Sequence, residues 1–275
     1  MAFVGAVGIE FAAEIKHNHP QLRTTLIHSR AKVLSSEPLP DSVKDRAKLI
    51  LEEEGVEVIL ENRATIYPAT NGKSLVKLAD GTKILADAVL DTTKKGDSSA
   101  RGILPAEFLD KNGELRTTRS LAFPAETPNV ERHFAAGDVV AFDGIKRAGG
   151  AMVMGQIAAN NLWVELLKEE REESGQMEED KEIPQLAVIP DYPVVIGLAV
   201  GKQCLTYDGT AERWGEQLMK DYFQDDLGWQ GSLKYLGLTD KVERTGEKEV
   251  NVAVAEVISD IDKSVVAEGV PVAAA

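Results

Sequence analysis

The chain has 275 residues, 43% of them hydrophobic and 28% charged, which is the mixture of a folded globular protein with one large domain or two ordinary ones. Its formal net charge of −14 argues against nucleic acid or anionic membrane as a partner and favours small molecules or proteins. A single cysteine excludes an internal disulfide framework and a Cys-rich metal site, and no apolar run approaches the roughly 20 residues that span a bilayer.

The first 60 residues show the order of elements that a parallel α/β unit requires. Apolar residues after Gly8 recur at helical spacing, and the runs at 23–29 and 56–60 are rich in β-branched and apolar residues. The predicted elements are a glycine turn at 5–8, a helix ending before Pro20, a strand at 23–29, a helix from 41 or 42 to Gly55 and a strand at 56–60. We expect residues 1–4, ahead of the turn, to be an edge strand or disordered.

Turn residues and alternating patterns continue beyond this unit. Asn71-Gly72 and Asp80-Gly81 punctuate the alternating residues 74–91, which predict a hairpin and a final strand. HFAAGDVV, at 133–140, predicts a strand that ends in a glycine and a carboxylate, and an apolar helical pattern follows from about 151 to 167. Residues 168–182 carry eight acids against three bases without apolar periodicity, which is typical of a solvated linker. Strand-like residues return after 183, followed by short helical turns.

Several of these segments, in their order and spacing, resemble a known family. The segments are GAVGIEFAAEI, GVEVIL, DGTKILADAVLDTT, HFAAGDVV, RAGGAMVMGQIAANNL and the run from LAVGKQCLTYDGT to RWGEQLMKDYFQDDLG. They resemble the apoptosis-inducing-factor-like NAD(P)H oxidoreductases, which include ferroptosis suppressor protein, within the pyridine nucleotide-disulfide oxidoreductase superfamily. The resemblance extends from residue 4 to about residue 240.

The resemblance implies an α/β fold with a curtailed Rossmann-type NAD domain, a remnant of the flavin domain and a C-terminal α+β module. The expected boundaries are 1–100 for the NAD(P)-binding-like unit, 101–168 for the flavin-domain remnant, 169–182 for the acidic linker, 183–245 for the α+β module and 246–275 for a disordered tail. FAD and either NADPH or NADH are the cofactors that the resemblance implies.

The sequence departs from the family in three places. The family's N-terminal half, which carries the glycine turn for the ADP part of FAD, has no counterpart here, so we expect impaired cofactor binding. Phe3 stands where the family's Gly-x-Gly-x-x-Gly has its first glycine, which allows the tight turn. Asp91-Thr92-Thr93-Lys94 stands where the family has an Ala-Thr-Gly-like close approach to the cofactor.

The candidate NAD(P) site combines two glycines with a glutamate and an arginine. Gly5 and Gly8 could let the amides at a helix N-terminus approach a pyrophosphate, or could serve only helix-to-strand packing. Glu10 matches a family glutamate near the nicotinamide and the flavin, although an unpaired surface carboxylate is the alternative. Arg30, in His28-Ser29-Arg30, follows the strand where an acidic residue would hold the ribose 2′-hydroxyl, which favours NADPH over NADH.

The candidate flavin site is the better preserved one. The resemblance implies that Asp138, next to Gly137, accepts a hydrogen bond from the flavin ribityl chain. The alternative is that Asp138 only caps the loop at the end of a strand. Gly149 and Gly150 would begin a helix whose N-terminus points to the flavin, where the helix dipole stabilises a reduced, anionic ring. The histidines at 17 and 19 are too few ligands for a metal, so no metal site is predicted.

Three functions remain open from the sequence. The first is an NAD(P)H-dependent flavoprotein oxidoreductase that passes hydride to flavin and electrons to a quinone-like acceptor. The second is a flavin-free enzyme, of isomerase or cyclase type, that uses Glu10, His133 or Asp138 on an apolar biosynthetic intermediate. The third is a non-catalytic binding or regulatory protein. We expect a cytoplasmic location, a small-molecule substrate and, as one option, a homo-oligomer.

Overall fold

The computed structural model describes residues 5–92, 98–142, 144–174, 183–191, 194–224 and 226–238. The expected edge strand or disorder at 1–4, the residue Phe3 and the tail at 246–275 lie outside these residues. The chain divides into two units, of which the first ends at Tyr222 and the second begins at Phe223. Both units contain helix, and the first is a mixed α/β structure, as predicted.

The first unit contains four helices and eight strands among its described residues. In chain order they are α1 (Gly5–Asn18), β1 (Thr25–Ile27), α2 (Asp41–Glu53), β2 (Glu57–Ile59), β3 (Ala64–Pro68), β4 (Ser74–Leu78), β5 (Lys83–Ala86), α3 (Ala148–Ser174), β6 (Ile196–Val200), β7 (Gln203–Tyr207), β8 (Glu212–Gly215) and α4 (Glu216–Tyr222). The second unit contains α5 (Trp229–Tyr235).

The predicted parallel unit is confirmed by β1, α2 and β2. Strands β1 and β2 pair in parallel, with Leu26 opposite Val58. Helix α2 buries an apolar stripe at i, i+4, i+7 and i+8, the spacing that places side chains on one helix face: Val43, Ala47, Ile50 and Leu51. The helix leads into β2 through Gly55, whose φ of 87° is accessible to glycine at little cost.

The hairpin predicted around Asp80-Gly81 is confirmed as β4 and β5, which pair antiparallel. Strand β3, which the alternating pattern did not indicate, completes a three-stranded antiparallel sheet with the order β3-β4-β5. The expected final strand is wrong in its described part, since residues 87–92 are not in a strand. Asp87 and Ala88 are exposed, and an alternating sequence becomes a strand only where a neighbouring edge offers backbone partners.

The predicted strand at 133–140 is also wrong. Gly137–Val139 forms a 3-10 turn, and Phe134 makes only an isolated bridge to Ala122. Gly137 has a φ of 80°, which interrupts the extended backbone that a strand requires.

Helix α3 is longer than the 151–167 predicted from its apolar pattern, since it extends over Ala148–Ser174 and so includes residues 169–174 of the expected acidic linker. The remainder of that linker, 175–182, lies outside the described residues. Its C-terminal turns are rich in Glu, Lys and Arg, which are good helix formers even without an apolar stripe. The side chain of Asn161 is fully buried and makes three hydrogen bonds: Nδ2 donates to the carbonyls of Ser120 (2.7 Å) and Ala187 (2.8 Å), and Oδ1 accepts from the Ala187 amide (2.8 Å). These bonds join α3 to two segments without regular structure.

Strands β6, β7 and β8 form an antiparallel sheet that packs on the N-terminal helices. Its apolar residues share one core with α1, α2 and β1, and the fully or nearly buried members contributed by these elements are Ile9, Ala12, Ala13, Leu26, Val43, Ala47, Ile50, Leu51, Ile196, Leu198, Val200 and Leu205. The sheet therefore stabilises the helix that carries the candidate glycines.

Candidate functional site

The glycines predicted as a turn lie inside the first turns of a helix. Helix α1 begins at Gly5, and Gly8 is buried within it. The first turn contains no acidic residue. Because the first amides of a helix have no partner within the helix and carry partial positive charge, this end of α1 is electrostatically suited to an anionic group.

The same end of α1 lies toward the carboxyl edge of the parallel strands. At the opposite end of the helix, Lys16 Nζ donates to the carbonyls of Pro20 (2.7 Å) and Leu22 (3.0 Å), just before β1 begins. A β-carbon at Gly55, just before β2, would lie 3.1 Å from Lys16 Cε. Since the C-terminus of α1 adjoins the starts of both strands, its N-terminus faces the edge where both strands end.

Arg30 lies at this carboxyl edge. The His28 amide donates to the Ile59 carbonyl (2.8 Å), and the amides of Asn62 and Glu61 donate to the carbonyls of His28 (3.1 Å) and Arg30 (3.1 Å). The backbone of Arg30 is thus fixed to the chain that follows β2, while its side chain is exposed.

His28, next to this arginine, is buried at 3% exposure and shares a hydrogen bond of 2.9 Å between its Nε2 and Ser35 Oγ. Burial lowers the pKa of His28, and the nearby Arg30 charge lowers it further. A backbone hydrogen bond with Lys32 partly opposes this lowering of the pKa, and the net effect favours the neutral ring. Sequence reasoning named His28 only as a neighbour of Arg30 and missed Ser35, because seven residues separate the two along the chain.

Glu10 faces β6. Its Oε1 accepts a long hydrogen bond from the Ala199 amide (3.4 Å). Burial raises the pKa of Glu10, and that hydrogen bond partly opposes the rise. Burial also raises the pKa of the nearby Cys204 thiol to about 11, to which the Glu10 carboxylate contributes. Glu10 is thus neither unpaired nor fully exposed, which differs from the surface carboxylate that the sequence left open.

The structure brings together Gly137, Asp138 and the N-terminus of α3. A β-carbon at Gly137 would lie 3.5 Å from the Ala151 β-carbon. Asp138 and Gly149 are exposed, Gly150 is buried, and the first turn of α3 contains no acidic residue. The backbone turn that carries the exposed Asp138 therefore packs against the first turn of this 27-residue helix.

Lys146 holds this turn in place. Its Nζ donates to the carbonyls of Asp138 and of Val140 (3.2 Å) and forms an ion pair with Glu114 (3.0 Å). A β-carbon at Gly149 would meet no heavy atom within 4 Å, so the space at the side of this residue is open. The sequence analysis did not identify Lys146, although its position between the turn at Gly137 and a helix that begins near two glycines could have indicated a structural role.

His133 has different surroundings from the other two catalytic candidates. Its ring is exposed, donates from Nδ1 to the Asn129 carbonyl (2.8 Å) and lies with its centroid 5.5 Å from that of Phe123. A groove of about 240 Å³ lies between α3 and the turn that precedes His133; it contains none of the three candidates and is lined by Glu131, Arg132, Leu162, Glu165, Leu166, Lys168, Glu169 and Glu172.

The residues that the structure describes contain no group of three or more His, Cys, Asp or Glu side chains that could hold a metal ion. Over the same residues, no helix is long and apolar enough to cross a bilayer.

Comparison with known proteins gives the family. The profile of the pyridine nucleotide-disulphide oxidoreductases matches residues 2–155. The chain belongs to this family. Among curated members, oxidoreductase OXR1 of Ajellomyces capsulatus is 42% identical over 242 residues, covering 85% of this chain and 50% of the relative. Ferroptosis suppressor protein 1 of Homo sapiens is 32% identical over 167 residues, covering 58% of this chain and 43% of the relative. The chain thus spans about half the length of the curated family members that it matches.

Solved structures give the same fold for this family member. An FAD-dependent pyridine nucleotide-disulphide oxidoreductase from Desulfovibrio vulgaris superposes with a TM-score of 0.57 at 15% identity, covering 74% of this chain and 47% of the other. A ferredoxin reductase from Rhodopseudomonas palustris has a TM-score of 0.54 at 15% identity, with 74% and 45% covered. Both the resemblance stated from the sequence and the α/β Rossmann-type fold class are confirmed.

The residues present fit the cofactors that the family implies. The first described turn of α1 lacks acidic residues, and Arg30 is exposed at the carboxyl edge of the parallel strands, which suits an anionic dinucleotide. At α3, the open space at Gly149 and the exposed Asp138 suit a hydroxyl-bearing chain that ends in an aromatic ring.

Proposed function

We propose that this chain forms the nucleotide-binding and flavin-facing part of an NAD(P)H-dependent flavoprotein oxidoreductase with a quinone-like acceptor. The observation that carries the proposal is the contact between the turn at Gly137 and the first turn of α3, because it brings the backbone turn that carries the exposed Asp138 to the N-terminal end of a helix. Membership of the family supports the same conclusion, although fold alone does not decide function.

The roles of the chain's own residues follow from their chemistry. The amides of α3 near Gly149 and Gly150 favour negative charge on a ring placed before them. The Asp138 carboxylate accepts hydrogen bonds from hydroxyl groups, while Lys146 holds its backbone in place. The first turn of α1 and Arg30 bind the phosphates of the nucleotide. FAD held by these residues would supply the redox chemistry that links NAD(P)H to the quinone-like acceptor.

We infer that this chain alone binds FAD weakly. Asp138 and Gly149 are exposed, and a cofactor held at an open surface keeps much of its contact with water.

The test is the visible spectrum of the purified 275-residue chain, before and after incubation with FAD and removal of free FAD. Because the FAD is weakly held, we expect flavin absorption bands that correspond to less than one FAD per chain after reconstitution, and their bleaching by NADPH under anaerobic conditions. The variant Asp138→Ala should lower the amount of FAD retained. The matched control Glu107→Ala, which removes an exposed carboxylate from another 3-10 turn of the same segment, should not.

A protein that stays colourless after incubation with FAD contradicts the proposal. The flavin-free enzyme and the non-catalytic binding protein would then be the functions to pursue. Retention of FAD without bleaching by either NADPH or NADH would contradict the assignment of the electron donor.

A further inference from the structure

The antiparallel sheet β3-β4-β5 buries only one of its two faces. Val76 of β4 and Ala86 of β5 lie on the inner face, in a core that includes Ile27 of β1. Because side chains alternate along a strand, the intervening residues lie on the outer face: Thr65 and Tyr67 of β3, Leu75 and Lys77 of β4, and Lys83 and Leu85 of β5. Leu75 is partly buried, and the other five are exposed.

Strand β3 lies at one edge of this sheet, and its hydrogen bonds to β4 use every second residue. Just after β3, the Ala69 amide donates to the Lys73 carbonyl (2.9 Å). In the same register, Thr65 and Tyr67 are the residues of β3 that direct their backbone groups toward β4. The residues between and beside them direct their backbone groups away from the sheet.

Ala64, Ile66 and Pro68 therefore form the free edge of β3. Pro68 has no N–H, and it occupies a position where the sheet uses none. The amides of Ala64 and Ile66 make no hydrogen bond within the described part of the chain. Charged side chains commonly protect such an edge, yet the strand at 64–68 contains none. The edge is thus open to pairing with a further strand.

Two lysines lie next to each other on the outer face without a counter-ion. Lys77 and Lys83 are directly opposite each other in the register of β4 and β5. One position along, the Leu78 amide donates to the Thr82 carbonyl (2.8 Å), so the lysines form a non-hydrogen-bonded pair, in which side chains are closest. Neither lysine makes an ion pair with any residue that the structure describes. Since like charges directly opposite destabilise a sheet, a carboxylate near this pair would stabilise it.

An apolar row crosses the outer face beside the lysines. Leu75 is opposite both Tyr67 and Leu85, which are 47% and 59% exposed. This row ends at the free edge, so a further strand there would extend it. The lysine row reaches the same edge at Thr65, which is opposite Lys77. A further strand would lie two strand spacings, or roughly 10 Å, from β4, a distance that extended lysine and glutamate side chains span above the short threonine.

We propose that the free edge of β3 binds an extended segment of a partner protein, in which an acidic residue lies two positions from an apolar one. The backbone groups of Ala64 and Ile66 hold the segment as a fourth strand. On the outer face its apolar side chain packs on Tyr67, and its carboxylate lies above Thr65 and pairs with Lys77. This inference is independent of the proposed cofactor sites.

Charge favours an acidic protein segment over two other occupants. A second copy of the chain, paired antiparallel about Ile66, would place Tyr67 opposite Thr65 and bring no carboxylate to the lysines. An anionic membrane is recognised by clusters of more than two basic residues, and the net charge of −14 repels it.

The test is an NMR titration of the 15N-labelled full chain with the peptide acetyl-Ser-Thr-Val-Val-Glu-Thr-Ser-amide. Paired antiparallel, its first Val lies opposite Tyr67, its second Val opposite Ile66 and its Glu opposite Thr65. We expect the amide signals of Ala64 and Ile66 to shift and their exchange with solvent to slow. The amides of Thr65 and Tyr67, bonded to β4, should be protected before the peptide is added.

Two altered peptides test the backbone and the charge separately. A peptide with proline in place of the second Val lacks the N–H that Ile66 would accept, and it should not bind. A peptide with Lys in place of Glu should bind about 3- to 10-fold more weakly, because repulsion replaces attraction at an exposed site.

Charge reversal on the protein tests the lysines. In the variant Lys77→Glu/Lys83→Glu the preference should invert, so that the Lys peptide binds more tightly than the Glu peptide. The matched control is Lys111→Glu/Lys220→Glu, which changes the net charge equally at two exposed lysines outside this sheet. The control should retain the preference for the Glu peptide.

Each contrary outcome overturns a stated part of the proposal. Unchanged signals of Ala64 and Ile66 at millimolar peptide overturn the strand-addition site, and equal binding of the Glu and Lys peptides overturns the role of the lysines. Self-association of the free chain that protects the same two amides would assign the edge to a second copy. Binding to vesicles of equal parts phosphatidylserine and phosphatidylcholine, lost in Lys77→Glu/Lys83→Glu, would assign the face to a membrane. Either assignment overturns the acidic partner segment.

Discussion

Gly201, in the turn between β6 and β7, makes one close contact with Glu54 at the C-terminal end of α2. Its φ is 59°, and a β-carbon there would lie 2.7 Å from Cδ and 2.8 Å from Oε2 of Glu54. The Glu54 side chain is only 6% exposed, with Oε2 3.8 Å from Nδ1 of His17. Because it is enclosed, this carboxylate cannot move into solvent to make room. We therefore expect Gly201→Ala to destabilise the fold.

The magnitude has two parts. A non-glycine residue in the left-handed region costs about 1–2 kcal/mol, and moving a buried side chain off its preferred rotamer costs about 0.5–1.5 kcal/mol. The free energy of unfolding should therefore decrease by about 2–3 kcal/mol. At roughly 2–4 °C per kcal/mol for a chain of this size, the melting temperature should fall by about 4–12 °C.

The assay is chemical and thermal denaturation followed by circular dichroism. Gly72→Ala is the matched control, because Gly72 has a φ of 72° with no heavy atom within 4 Å of the β-carbon position, so only the backbone cost applies. In a Glu54→Ala background, Gly201→Ala should cost no more than this control. If Gly201→Ala and Gly72→Ala destabilise the unmodified chain equally, the contact between the β6–β7 turn and Glu54 is refuted.

Two further predictions concern buried polar side chains. The folded-state pKa of Glu10 lies above its ordinary value of 4.5, so the native state loses stability as pH rises through that folded pKa. Glu10→Gln should therefore be more stable than the parent at pH 8 but not at pH 4. Equal stabilities of the two proteins at pH 8 in urea titrations would contradict this. Asn161→Leu removes three backbone hydrogen bonds and should cost about 3 kcal/mol or more, whereas Leu at the exposed neighbour Asn160 should have little effect in the same titrations.

Local patterns predicted those elements whose stability is largely local. Helix α2 was predicted because its apolar residues fall on one face, and the β4–β5 hairpin because Asp80-Gly81 supplies the turn. The strand expected at 133–140 failed for the opposite reason. Its residue types suit a strand, but Gly137 adopts a positive φ and no long neighbouring edge is available within the described residues.

The candidate site was predicted residue by residue but not in its connections. A helical period shows which face of α1 is apolar, yet it does not show that β6 covers that face and that the Ala199 amide meets Glu10. His28 and Ser35 are seven positions apart in the sequence, so their hydrogen bond is not apparent from a local pattern. Lys146 binds a backbone carbonyl, and no pattern of residue types indicates such a contact. Contacts of this kind depend on the three-dimensional fold, which is why sequence reasoning found Arg30 and missed its support.

The net charge of −14 and the proposed anionic cofactors are compatible because they act over different distances. Association with a long polyanion depends on the summed field of the protein, which here is repulsive. A dinucleotide makes most of its contacts within a few ångströms, inside the screening length of roughly 8 Å at physiological salt. Over that distance the first turns of α1 and α3 contain no acidic residue, and Arg30 is exposed at the carboxyl edge of the parallel strands. Raising salt over the physiological range should therefore change the affinity for a dinucleotide only modestly, and a steep fall in affinity in calorimetric titrations would contradict this.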